Sequence, residues 1–187
     1  KNIPVLIMTD AIDQFWLPMI GSFKDKKFIS ITQGQINLDD LDEKNKDKDI
    51  ENKEQKEKQD KEFVDLIAQM KVVLGEQVKD IRLSSKLTDS PVCLVADDGD
   101  MDIAMEQLMA QRDTNYKGAP RILEINGDHS LIKNMKSLLS KKENNDLVSD
   151  AGTLLFEQAR LMEGKMPSDP AQFSKIMNQF LLKVIPE

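Results

Sequence analysis

The chain carries a single cysteine, Cys93, and a single histidine, His129, and each scarcity closes off a class of chemistry. One thiol forms no intrachain disulfide and cannot build a zinc knuckle. Set within the apolar run Val92-Cys93-Leu94-Val95-Ala96, it reads as a small core residue. His129 has Asp128 and Ser130 as neighbours, but adjacency in sequence is not the convergence in space that a catalytic triad requires. Asp128-His129 reads instead as a helix start, with Asp128 at the N-cap and His129 in the first turn. The 8 glycines are isolated from one another, which excludes a phosphate-cradling loop and a dinucleotide fingerprint. No apolar run approaches the ~18 residues of a membrane-spanning helix, and the residues from Lys1 onward lack the charged flank, apolar core and cleavage site of a signal peptide. The expectation is a soluble, cytoplasmic segment with no catalytic residues, no metal and no cofactor of its own. The abrupt start at Lys1 reads as part of a longer polypeptide.

Charge is plentiful, with 33 acidic against 26 basic side chains and a net charge of -7. That balance argues against nucleic acid or an anionic membrane as the main partner. Asp97-Asp98-Gly99-Asp100-Met101-Asp102 has the look of a calcium loop, but its carboxylates, glycine and closing residue do not follow the EF-hand order. It reads as a strand-to-helix turn with Asp100 as cap. From Asp39 to Glu62, Leu41 and Ile50 are the only apolar residues in a run of Asp, Glu, Lys, Asn and Gln. Such a run buries too little apolar surface to offset chain entropy, so it is expected to be a disordered linker or a solvated, fraying helix. Its interleaved signs make it a tether with no binding patch.

Periodicity divides the chain into a small α/β unit over 1–38, the charged linker over 39–61, and an α+β domain over 62–187. In the first unit, 5–8 and 28–32 read as strands around a helix over 12–20 that is kinked at Pro18. In the domain, the stripe Phe63, Leu66, Ile67, Met70, Val73 and Leu74 predicts a helix stopped by Gly75. Strands follow over 78–83, 92–96 and 122–125, with helices over 101–111 and 129–139. That order describes a small mixed sheet covered by helices. Two further stripes close the chain: Leu147, Ala151, Leu154, Leu155, Ala159 and Met162, then Phe173, Ile176, Met177, Phe180, Leu181 and Val184. Gly164 can end the first helix and Ser168-Asp169-Pro170 can cap the second, giving a helical hairpin. Leu182 and Ile185 widen the second stripe beyond what one neighbour covers. The pattern predicts self-association into a four-helix arrangement.

Met101, Ala104, Met105, Leu108 and Met109 share one face of their predicted helix. Two readings stand: flexible thioethers filling a core, or an exposed surface that repacks around dissimilar partners. In Phe15-Trp16-Leu17-Pro18-Met19-Ile20 the large side chains cannot all face one core, so at least one of Phe15 and Trp16 is expected on the surface, as part of a binding patch.

The segment Ser85-Lys86-Leu87-Thr88-Asp89-Ser90-Pro91-Val92-Cys93-Leu94-Val95 resembles S-x-R-L-T-D-S-P-x-x-L-V of the ninety-kilodalton heat-shock chaperone family, in its bacterial branch. Val5-Leu6-Ile7-Met8-Thr9-Asp10-Ala11-Ile12-Asp13 is similar to that family's strand and turn at the end of the middle domain. Leu154-Leu155-Phe156-Glu157-Gln158-Ala159 with Met177-Asn178-Gln179 resembles its terminal helices. The resemblance implies the tail of the middle domain joined to the C-terminal dimerisation domain of a homodimeric, ATP-driven chaperone. ATP and Mg would belong to the longer parent, and this segment would hydrolyse nothing. Client proteins would meet Met101, Met105, Leu108 and Met109 on the C-terminal domain and Gln14, Phe15, Trp16 and Pro18 on the middle domain. The dimer would be built by Leu154, Leu155, Ala159, Phe173, Ile176, Met177, Phe180, Leu181 and Val184. The alternative is a purely structural dimerisation module with the methionines buried. Ile185-Pro186-Glu187 lacks an acidic recruitment tail, so tetratricopeptide co-chaperones are not expected partners. Lys86 stands where the family usually has arginine, which weakens a bidentate carboxylate contact there.

Overall fold

The computed structural model describes residues 5–10, 12–34, 49–112, 118–140 and 144–185, with only the backbone described at 14, 49–59, 104 and 112. The elements are α1 (Asp13–Ile20), β1 (Ser22–Phe23), β2 (Lys26–Lys27), α2 (Asp49–Leu74), β3 (Val78–Leu83), β4 (Val92–Val95), α3 (Ile103–Arg112), β5 (Arg121–Ile125), α4 (Ser130–Leu139), α5 (Asn145–Met162) and α6 (Pro170–Val184). They fall into two compact units, Lys1–Gln35 with Ala96–Ala119, and Ile36–Val95 with Pro120–Glu187. The mixture of helices and small sheets is the expected α+β class.

In the larger unit the strand order is β3-β5-β4, with β5 parallel to β3 and antiparallel to β4. All five residues of the central strand β5 are buried, as its Ile and Leu content demands of a strand covered on both sides. Side chains alternate faces along each strand. Ile81, Leu123 and Leu94 therefore form one cross-strand row and Leu83, Ile125 and Val92 another. These rows meet Phe63, Leu66, Met70 and Leu74 of α2, Ile132 and Met135 of α4, and Val148, Leu155, Phe156 and Ala159 of α5 in one continuous core. The stripe read in the sequence for α2 is thus its buried face. Gly75 (φ +50) ends that helix and Gly164 (φ +77) follows the end of α5, both in the left-handed region that glycine enters without a Cβ clash. The charged run is helical from Asp49 onward; its beginning, 39–48, lies outside the described residues.

The smaller unit departs from expectation. Residues 5–9 have no regular structure, and Val5, Leu6 and Ile7 are exposed; no described residue pairs with them, and a strand without a hydrogen-bonding neighbour is not a strand. Residues 28–32 form no strand either, and only Gln33 makes an isolated parallel bridge, to Ala96. The paired strands are instead β1 and β2, with Ser22 opposite Lys27 and Phe23 opposite Lys26. Lys24 (φ 48) and Asp25 (φ 62) turn between them, a two-residue hairpin loop with both central residues left-handed. Pro18 sits inside α1, where it removes a backbone donor.

Two caps also differ. α4 is capped by His129, whose Nδ1 accepts the Leu131 N–H at 3.1 Å. Asp128 is not the cap because its N–H points to Asn126 Oδ1 and its carboxylate pairs with Lys133. α3 begins at Ile103, so Met101 precedes the helix and Asp102, not Asp100, is the residue before its first turn.

Candidate functional site

Residues 30–34 and 96–102 are stitched together within the smaller unit. Ala96 N–H donates to Thr32 O and Gly34 N–H to Ala96 O, both at 2.9 Å. Gln33 Nε2 donates to Asp100 O at 2.7 Å. The hydroxyls of Ser30 and Thr32 donate to Asp102 Oδ2 at 2.5 and 3.0 Å. These bonds position the start of α3, which turns Ile103 and Glu106 inward, with Glu106 Oε1 accepting the Ala119 N–H at 3.1 Å. Met101 and Met109 are exposed at 39% and 42%, and Met105 and Leu108 are half-buried. The methionine face therefore divides between packing and solvent. On α1, Phe15 and Pro18 are exposed, whereas Trp16 is half-buried with its Nε1 donating to Asp13 Oδ1 at 2.8 Å. Phe15 is the exposed aromatic of the pair; the side chain of Gln14 lies outside the described residues.

The second surface belongs to the hairpin in the larger unit. Asp169 caps α6, its Oδ1 accepting the Gln172 N–H at 2.9 Å, and Pro170 occupies the first turn, as the motif predicts. α5 buries Val148, Gly152, Leu155, Phe156, Glu157 and Ala159, but α6 buries only Ile176. Of the residues expected at an interface, Leu155, Ala159 and Ile176 are covered within the chain itself, and Leu154, Phe173 and Phe180 are half-buried. Met177, Leu181 and Val184 are exposed, joined by Leu182 and Ile185. Leu161 and Met166 are exposed near the turn as well. Sequence reasoning passed over both, because one lies off the helical stripe and the other in the connection.

The segment that carries the family resemblance is a structural clasp. Ser84 Oγ accepts the Lys86 and Leu87 N–H groups at 3.3 Å and donates to Glu124 Oε2 at 2.9 Å. Glu124 is buried and receives Arg82 Nε and Nη2 at 3.1 and 2.9 Å, with Lys86 Nζ at 3.5 Å. Lysine makes the single, longer contact there and arginine the forked one, as their shapes dictate. Asn126 Nδ2 donates to Thr88 O and Ser90 O at 3.0 and 3.2 Å. The loop between β3 and β4 is thereby pinned to the end of β5. Cys93 lies beside Glu124 in register. Burial, and then that carboxylate, push its thiol up to about 11, which makes it a poor nucleophile near neutrality. Among the described residues no group of three or more His, Cys, Asp or Glu could hold a metal, and no helix is long and apolar enough to cross a membrane.

Comparison with known proteins joins these observations. The family model described as Hsp90 protein matches residues 1–186. The chain is 42% identical over 175 residues to "Chaperone protein HtpG" of Roseobacter denitrificans, covering 92% of this chain and 28% of that protein. It is 38% identical over 186 residues to the protein of the same name from Wolbachia sp. subsp. Brugia malayi, with 99% and 29% covered. With the Streptomyces coelicolor protein of that name, identity is 35% over 177 residues, with 95% and 27% covered. The chain spans less than a third of the length of these relatives. With the family model matching residues 1–186 and bacterial HtpG proteins similar along nearly all of it, the chain belongs to the Hsp90 protein family.

Proposed function

We propose that this chain is the homodimerising and client-binding part of an ATP-dependent chaperone that assists the folding of other proteins in the cytoplasm. The observation that carries the reading is α6, which keeps Met177, Leu181, Leu182 and Val184 exposed around a single buried residue, with Ile185 exposed just past its end. An apolar face of that extent at a helical hairpin is satisfied by a second copy, giving an isologous four-helix bundle. Leu154, Phe173 and Phe180 would complete the contact at its edges, and Leu155, Ala159 and Ile176 would support it from beneath.

Clients would be held loosely by Met101, Met105, Leu108 and Met109 together with Phe15, flanked by Gln14, Trp16 and Pro18. Thioethers and an exposed ring suit partners of varied shape. Support comes from α1 and α3 lying in one compact unit. In this reading 1–38 is the end of a middle domain, 39–61 the connector and 62–187 the dimerisation domain. ATP and Mg act in other parts of the longer protein, and no residue of this chain is assigned to them or to hydrolysis. Nucleic acid and membranes are not partners in this reading.

Light scattering across a dilution series should give twice the chain mass for the parent and a folded monomer for a variant carrying Phe180→Asp and Leu181→Asp. A parent that stays monomeric at every concentration overturns the dimer. Replacing Met101, Met105 and Met109 by serine should abolish binding of an unfolded model protein without changing the dimer mass. Unchanged binding would overturn the client surface.

A further inference from the structure

Glu157 is 3% exposed on α5, and its partners lie across the turn that leads into α6. Both carboxylate oxygens stand 3.1 Å from Ser168 N, and the Ser168 hydroxyl donates to Oε1. That hydroxyl oxygen is also 3.1 Å from Gln77 Oε1, at the end of the turn that follows α2. Arg160 Nε lies 3.3 Å from Oε2 of Glu157, and Arg160 Nη2 donates to Met166 O at 2.9 Å. Two side chains of α5 therefore strap down 166–168, immediately before the Asp169 cap. Apolar packing does little of this work. A cleft of about 260 Å³ lined by Val73, Thr153, Gln172 and Phe173, with Glu157 and Ser168, lies at the start of α6, and Ile176 is the only buried residue of that helix.

We propose that Glu157 is a positioning residue for self-association: by holding Ser168 it sets the angle at which α6 presents its apolar face. The inference rests on the dimer reading above. Fifteen residues at about 1.5 Å each make α6 roughly 22 Å long, so a tilt of ~10° at its start carries the far end, Leu181 to Ile185, by ~4 Å. That displacement is nearly half the usual spacing of ~8–10 Å between packed helix axes. A carboxylate with a forked grip on one backbone N–H limits such a tilt in a way that one buried isoleucine cannot.

The test measures the dimer dissociation constant of the 187-residue chain and of its Glu157→Ala and Glu157→Gln variants by sedimentation across a dilution series. Hydrogen exchange of α2 amides reports in parallel on the core. Glu157→Ala should weaken the dimer by about tenfold or more, the scale of one lost charge-assisted contact, with α2 protection unchanged. Glu157→Gln should recover part of the loss, since its amide oxygen still accepts from Ser168 N–H. Ser168→Ala, which removes only the hydroxyl, gives a smaller shift in the same direction and serves if Glu157→Ala does not fold. A dimeric parent whose constant is unmoved by these changes overturns the inference and leaves the dimer standing. Loss of α2 protection in step with the dimer overturns it too, because Glu157 is then a core residue. A monomeric parent overturns the dimer reading, and the positioning role falls with it.

Discussion

α5 and α6 look alike in sequence and are used differently in the fold. Each carries an apolar stripe at helical spacing and each follows Asn or Asp at its start, yet α5 buries six residues and α6 one. The difference lies in what each helix meets. α5 packs on α2, α4 and β4, so Val148, Leu155, Phe156 and Ala159 are taken up by the core, although Met162 at the end of its sequence stripe is exposed, whereas α6 rests on α5 alone among the larger contacts. An amphipathic pattern therefore marks a face that wants covering, and the covering element can be in the same chain or in another.

The contrast is open to breaking, first at its buried end. Leu155→Ala should destabilise the chain by about 2–5 kcal/mol in denaturant unfolding, because Leu155 is 4% exposed in the continuous core and truncation leaves a cavity. An equal cost at an exposed α6 leucine would erase the distinction. Asp169→Ala should cost about 0.5–2 kcal/mol by removing the cap on Gln172 N–H, read in the same experiment. Leu182→Asp, at 73% exposure, should change the stability of the dissociated chain by no more than about 0.5 kcal/mol while halving the mass seen by light scattering.

Cys93 sharpens the comparison from the sheet. Burial and the neighbouring Glu124 carboxylate raise its thiol from 9.0 to about 11, so the folded chain favours the protonated form. That contribution to stability is whole below about pH 9 and is lost as pH rises through about 11. Unfolding midpoints should fall across that window in the parent and fall less in Cys93→Ala. Native alkylation near pH 8 should be slow, since a shift of two units lowers the thiolate fraction about a hundredfold.

Much of the larger unit was legible because local signals agreed with one another. The Phe63-to-Leu74 stripe, the Gly75 stop, the three strands and the Asp169-Pro170 cap each carry a physical reason within a few residues. Legibility failed where a partner decides. Residues 5–8 and 28–32 alternate like strands, but pairing is a property of two segments, and the pairs formed instead at Ser22–Phe23 and Lys26–Lys27. Asp128 and Asp100 were plausible caps until their groups were drawn to Asn126 and Lys133 in one case, and the helix start moved to Ile103 in the other. Of the candidate client residues, the identity of the exposed aromatic hung on the bond from Trp16 Nε1 to Asp13, which spans one helical turn but competes with any other rotamer.

Composition, periodicity and turn chemistry determined by themselves the element types in 62–187 and the hairpin at its end, and the run from Ser85 to Val95 carried the resemblance to the family. Tertiary structure alone decided that Leu155 and Ala159 face inward while Leu181 and Val184 face out, that the methionine face is split between packing and solvent, and that Glu157 grips Ser168. The reason is one of range. Helix and turn preferences are set by neighbours within about four residues, whereas burial and polar pairing depend on which distant segments arrive at the same place, and spacing along a chain does not encode that.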